Sequence, residues 1–164
     1  MLRDKNLVPL SHQHQHALAL CVRLDRALQA GEVDPEPWAA EIELAFQQEI
    51  RFHFTAEEEE VFPVALGFDE LKALVDELRT EHVALRGLFA EASARTLDNA
   101  GLQGFVEKLA THIRKEERQL FERLQGLLAP AELAAMGTGL ERALAAASQA
   151  CSLPTEATRL KPKR

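Results

Sequence analysis

Residues 105–124 read Phe105-Val-Glu-Lys-Leu109-Ala-Thr-His112-Ile-Arg-Lys-Glu116-Glu-Arg-Gln-Leu120-Phe-Glu-Arg-Leu124, and their spacing decides the fold. Phe105, Leu109, His112, Glu116, Leu120 and Leu124 recur every three or four residues, so one helical face is apolar but interrupted by a histidine and a glutamate. An earlier stretch repeats the arrangement: Ile42, Phe46, Ile50, His53, Glu57 and Val61 share a face. Side chains four apart in a helix lie one turn above each other, so each His-x3-Glu pair offers a nitrogen and a carboxylate oxygen to one cation.

Two further histidines stand on apolar stripes. His82 goes with Leu71, Leu74, Leu78, Leu85 and Phe89, and His14 with Leu10, Ala17, Leu18, Cys21 and Leu24. His12 and His16 fall toward a side holding Arg23 and Arg26, which leaves His14 as the inner histidine of its helix. The candidate metal ligands are therefore His14, His53, Glu57, His82, His112 and Glu116. Four imidazoles and two carboxylates suit a pair of transition-metal ions, because imidazole prefers Fe, Zn, Cu or Ni and a carboxylate can bridge neighbouring ions. The acidic run Glu58-Glu-Glu60 reads mostly as a solvated face, though Glu58 or Glu81 could reach the site; Glu81 or Glu49 could accept the second ring N–H of a ligand histidine, but ordinary exposed helix glutamate is the default reading for both. An isolated His-x3-Glu pair reads more naturally as a surface ion pair; duplication on two core faces reverses that reading.

Punctuation divides the chain into five helices. The first is expected from Leu10 or Ser11 to Ala30-Gly31, and the second from Pro35-Glu-Pro37 to Phe62-Pro63. The third runs from about Asp69 to about Thr96, and the fourth from about Leu102 to Leu128 after the turn Asp98-Asn-Ala-Gly101. Pro130 opens a shorter fifth helix, expected to bend around Gly137-Thr-Gly139. Short connections imply an all-α, up-down-up-down antiparallel four-helix bundle, with the fifth helix across one end. One domain is expected over residues 8–150, with residues 151–164 a flexible tail. Helical rise places His14 about 25 Å before the end of its helix and His53 about 26 Å after the start of the next, so the two meet at one depth. The same arithmetic brings His82 and His112 to that layer.

Composition narrows the function. The chain is rich in Ala, Leu, Glu and Arg, lacks Tyr, and carries a net charge of -7, which excludes a nucleic-acid footprint apart from the basic tail Arg159-Leu-Lys-Pro-Lys-Arg164. Cys21 and Cys151 stand alone, so neither a disulfide framework nor a thiolate zinc site is indicated. The N-terminus has no apolar run of signal-peptide type and no stretch reaches membrane-span length, so a soluble, cytoplasmic protein is expected. Buried together, two carboxylates and four imidazoles would cost several kcal/mol per charge without pairing, and no Lys or Arg shares their stripes. A cation is the natural partner.

In Leu10-Ser-His-Gln-His14-Gln-His-Ala-Leu18, His53-Phe-Thr-Ala-Glu57-Glu with Val61-Phe-Pro63, Thr80-Glu-His82 and His112-Ile-Arg-Lys-Glu116-Glu, the chain resembles the hemerythrin-like, or HHE cation-binding, family. The resemblance covers residues 8–130 and rests on order and spacing together. It implies a four-helix bundle around a non-haem di-iron centre, two Fe ions joined by a bridging oxo or hydroxo species, with Glu57 and Glu116 as bridging carboxylates. It also implies a small-molecule ligand such as dioxygen. Dioxygen carriers of the family place two histidines four apart on the third helix, whereas here Leu78 precedes His82 and Arg86 follows it. One nitrogen ligand is missing, which leaves a coordination position for water, a small ligand or Glu58. Ferritin-like di-iron proteins use Glu-x2-His instead, and no inner histidine here has a glutamate three residues before it. The first functional expectation is a binding protein that captures dioxygen or a related small molecule for sensing, storage or redox response. The alternatives are a di-iron enzyme reducing peroxide or nitric oxide, and a metal-regulated interaction module using the fifth helix or the basic tail.

Overall fold

A computed structural model describes residues 1–147 and 154–161 of the protein, and every regular element in them is helical. There are five helices among the described residues: α1 (Val8–Gln29), α2 (residues 35–65), α3 (Asp69–Ser93), α4 (residues 99–127) and α5 (Pro130–Leu144). None is long and apolar enough to cross a membrane.

The helix boundaries follow local chemistry that the residue pattern only approximated. α1 starts at Val8, ahead of the expected Leu10 or Ser11, because the Asp4 carbonyl already accepts from the Leu7 and Val8 N–H groups. α2 runs past Phe62-Pro63 to Ala65. A wide turn just before Pro63 starts a fresh helical register, and a proline near the start of such a register leaves no N–H unsatisfied. α3 stops at Ser93, short of Thr96, in a Schellman closure without glycine. Arg95 takes φ 59°, its N–H reaches the Ala92 carbonyl, and the Thr96 N–H reaches back to Glu91. α4 begins at Asn99, where Asp98 caps it through a 2.8 Å bond from the Gly101 N–H.

Gly137 and Gly139 do not bend α5, which runs unbroken; they are points of close approach. A Cβ at Gly137 would lie 2.8 Å from Asn6 Cβ, and one at Gly139 would collide with the Glu60 carboxylate. α5 lies against residues 51–61 of α2.

The core divides into two apolar clusters. One gathers Ala17, Leu20 and Leu24 of α1, Trp38 to Phe54 of α2, Leu85 to Ala92 of α3, and Leu102 to Ile113 of α4. The other gathers Leu7 and Leu10, then Ala56 to Ala65, Leu71 to Leu78, Leu120 to Leu128, and Leu133, Met136 and Leu140 of α5. Each fully buried Leu or Phe stabilises by about 1.5–3 kcal/mol relative to exposure, so both ends of the helical array are firmly packed. Between them lies a layer of buried His and Glu, flanked by hydrocarbon on either side. Cys21 is buried in the first cluster, and burial pushes its thiol up to about 12; Cys151 lies outside the described residues. Of the expected tail, residues 154–161 are described, and there the Thr158 carbonyl accepts from Arg23 Nη1 at 3.0 Å.

Candidate metal centre

His14 of α1, His53 and Glu57 of α2, His82 of α3, and His112 and Glu116 of α4 all reach the buried layer, and none is more than 4% exposed. His53 Nε2 lies 3.1 Å from Glu57 Oε1 and His112 Nε2 lies 3.1 Å from Glu116 Oε1, as the four-residue spacing requires. Across helices, His14 Nε2 is 3.1 Å from Glu116 Oε2 and 3.9 Å from Glu57 Oε1. His82 Nε2 is 3.3 Å from Glu57 Oε2 and 3.8 Å from Glu116 Oε1. The six residues form two quartets, His14-His53-Glu57-Glu116 and His82-His112-Glu57-Glu116, each with its donor atoms within 4.8 Å of one another. Both carboxylates belong to both quartets.

The outer ring nitrogens fix what the inner ones can do. His14 Nδ1 donates to Glu117 Oε1 at 2.7 Å, His82 Nδ1 to Glu58 Oε1 at 2.7 Å, His112 Nδ1 to Glu81 Oε2 at 2.7 Å, and His53 Nδ1 to Gln13 Oε1 at 2.8 Å. Each outer partner is an acceptor, so each Nδ1 carries the hydrogen and each neutral ring turns a lone pair inward at Nε2. There it meets carboxylate oxygens, which also hold only lone pairs. All four Nε2 atoms and all four oxygens of Glu57 and Glu116 are buried without a hydrogen-bond partner. Facing acceptors of this kind are stable only with a cation among them, either protons on the rings or metal ions. A nitrogen-and-carboxylate set with a satisfied outer shell fits divalent transition metals.

Without metal, protons fill the role. Burial alone would lower the His14, His82 and His112 pKa values, but the Glu116 and Glu57 carboxylates, with the outer glutamates, overcome it and raise them to about 9, 9 and 10. Burial and their mutual repulsion work against the charges of Glu57 and Glu116, yet the surrounding histidines hold both below the ordinary carboxylate value, Glu116 well below.

Wide helical turns bring these side chains into line. Residues Phe46–Ile50, Glu57–Val61 and Glu116–Phe121 form π-helical turns, two of which begin at the shared glutamates. A four-residue step in an α-helix overshoots a full turn by about 40°, so a series such as Glu116, Leu120, Leu124 would drift off the inner face. A turn of the i→i+5 type absorbs the overshoot and keeps ligand and core residues on one side.

Several neighbours found places the sequence left open. Glu58 does not extend toward the shared carboxylates: its oxygens are held by His82 Nδ1 and by Arg86, at 2.6 and 3.1 Å. Arg86, one turn beyond His82, thus braces the carboxylate that orients His82. Glu81 accepts from His112 and is tied to Lys115, while Glu49 pairs with His16 at 3.0 Å. His12 is exposed and belongs to neither quartet. Glu117 and Gln13 were not anticipated. The signal for Glu117 lay in the duplication, since each shared glutamate is followed by a second one, and Glu58 and Glu117 each support a histidine on another helix. Nothing in the pattern marks Gln13 apart from its place beside His14.

The family model of the hemerythrin HHE cation binding domain matches residues 8–124, a span that contains all six donors. The chain belongs to this hemerythrin family. No curated protein and no solved structure matches it at a significant level. Within the hemerythrin domain, each quartet offers four protein donors to a metal ion. A cavity of about 10 Å³, walled by Ala17, Ile50, Phe54, Leu109 and Ile113, touches His14, His53 and His112.

Proposed function

We propose that the protein is a non-haem di-iron protein that binds dioxygen or a related small molecule for sensing, storage or redox response. Its four long helices run up-down-up-down as an antiparallel bundle. That topology is supported by the alternation of the core clusters: α1 and α3 pass from the second cluster to the first along the chain, and α2 and α4 pass from the first to the second. The observation that carries the metal reading is the set of eight inward atoms without partners, four imidazole nitrogens and four carboxylate oxygens, grouped in two quartets with common carboxylates. His14 and His53 would hold one ion, His82 and His112 the other, and Glu57 and Glu116 both. Bound iron supplies the electrons or the open coordination position that a small oxidising ligand needs.

The remaining chemistry belongs to the chain. The outer acceptors hold a hydrogen on each Nδ1 and so aim each Nε2 inward, and Phe54 and Phe62 cover His82. The cavity beside the other three histidines is apolar and about the size of one water, which favours a diatomic ligand over an organic substrate.

Metal analysis combined with optical spectra of anaerobically iron-loaded protein, before and after air, tests the proposal. About two irons per chain and a new charge-transfer band on exposure are expected. Stoichiometric, reversible ligation supports a binder, and sustained reductant-dependent turnover of peroxide or nitric oxide would make the protein an enzyme. Iron-free protein with no air-dependent band would reject both.

A further inference from the structure

The two quartets contain the same carboxylates, so any difference between them comes from their histidines and from what stands behind those histidines. Three of the four outer partners are carboxylates, and each of these is tied to a cation. Glu117 Oε2 accepts from Arg3 at 2.8 Å, Glu58 from Arg86 at 2.6 Å, and Glu81 from Lys115. The fourth is the neutral amide of Gln13, 2.8 Å from His53 Nδ1.

A carboxylate behind a ring N–H draws the proton outward and makes the opposite nitrogen a stronger donor to a metal. Hydrogen bonds to an ionised acceptor are roughly twice as strong as those to a neutral one. The quartet of His82 and His112 has carboxylate support on both rings, whereas that of His14 and His53 has it on one. Because each outer carboxylate is paired with a cation, its longer-range field largely cancels, and the difference in ring donation remains.

On the two-ion reading, we propose that the half-sites are inequivalent and that Gln13 makes the His14–His53 half-site the weaker, filled second and emptied first. Gln13 is a positioning residue that acts through His53. It also lines the small apolar cavity together with His14 and His53 and with His112 of the other half-site, while Phe54 stacks on His82. The cavity thus touches both rings of the weaker half-site and one ring of the stronger. Changes in outer partners of metal-bound histidines typically alter affinity by about 10–100-fold, which sets the expected gap.

Zinc titration of metal-free protein labelled with 15N-histidine, read by imidazole NMR, tests the ranking. In the wild type the His82 and His112 resonances are expected to shift with the first equivalent, and those of His14 and His53 with the second, at about tenfold weaker affinity. His12 and His16 should stay in place as internal controls. Gln13→Glu, nearly isosteric, should bring both pairs into one step. Glu81→Gln should weaken the first-filled pair by about tenfold and narrow the gap from the other side. Simultaneous or inverted filling in the wild type would overturn the proposal, as would an unchanged order in Gln13→Glu. Should Gln13→Glu fail to fold by circular dichroism, Glu81→Gln decides by the same criterion. Saturation at one zinc per chain would sink the two-ion reading, yet the ring pair that shifts would still report which half-site is stronger.

Discussion

The ring of Phe54 lies face to face with the imidazole of His82, their centroids 4.0 Å apart and their planes 19° from parallel. The same phenyl meets His112 edge-on at 5.9 Å and His53 at 6.3 Å, so one apolar side chain touches three of the four inner histidines. Phe54 is both a member of the first apolar cluster and a wall of the polar layer.

Replacing Phe54 with alanine removes that wall and leaves a void, so a loss of about 3–5 kcal/mol in unfolding free energy is expected. Urea denaturation of the metal-free protein measures it. A loss below about 1 kcal/mol would mean that neighbouring side chains collapse into the gap.

Removal of a shared carboxylate and removal of a histidine should differ in stoichiometry. On the proposed two-ion reading, Glu116→Ala is expected to abolish binding at both quartets, because Glu116 belongs to both, whereas His53→Ala should leave the His82–His112 quartet able to hold one ion. Elemental analysis after purification and dialysis distinguishes them. Full loading in either variant contradicts the ligand assignment.

Stability without metal should depend on pH on both sides of neutrality. The folded pKa values of His14, His82 and His112, about 9, 9 and 10, lie above the ordinary 6.5. Their contribution is therefore complete below pH 6.5 and is lost as pH rises through 9 to 10. Glu117 has the opposite sign. Burial would raise its pKa, but His14 and Arg3 hold it at about 2, so its contribution is present above 4.5 and fades as pH falls toward 2. The melting temperature of metal-free protein should drop on alkalinisation, and metal affinity should rise over the same range as the ring protons leave. Calorimetry with and without bound metal checks both directions.

Gly137→Ala is expected to destabilise the protein by about 1–3 kcal/mol, despite alanine's better helix propensity, because the added methyl meets Asn6 Cβ and overpacks the contact. Gly139→Ala should cost less, since the group it meets is the end of the flexible Glu60 side chain. Thermal melts of the two variants give the comparison.

Much of this arrangement can be read from residue order. The helical nature of the chain, the stripes of α2 and α4, and the inward placement of His14, His53, Glu57, His82, His112 and Glu116 all follow from periodicity, because a buried face must repeat with the helix. The features that periodicity misses depend on contacts between helices or on details of the backbone. Gln13 supports His53 across the α1–α2 interface, and its partner lies forty residues away. Arg95 ends α3 in a conformation usually given to glycine, so no stop signal was visible. Gly137 and Gly139 looked like helix breakers because their role is to admit Asn6 and Glu60, which belong to other segments. The π turns were latent in the run of four-residue steps, but a sequence read at constant pitch does not show them.

Asn6 lies against Gly137, and Leu7 and Leu10 share their apolar cluster with Leu133, Met136 and Leu140. During synthesis, then, residues 6–10 lack part of their packing surface until residues 133–140 have emerged from the ribosome. A nascent chain ending before α4 carries His14, His53, Glu57 and His82 but lacks Glu116. A metal ion held by both shared carboxylates would consequently be captured only after α4 has been made, and so could not guide the folding of the helices before it.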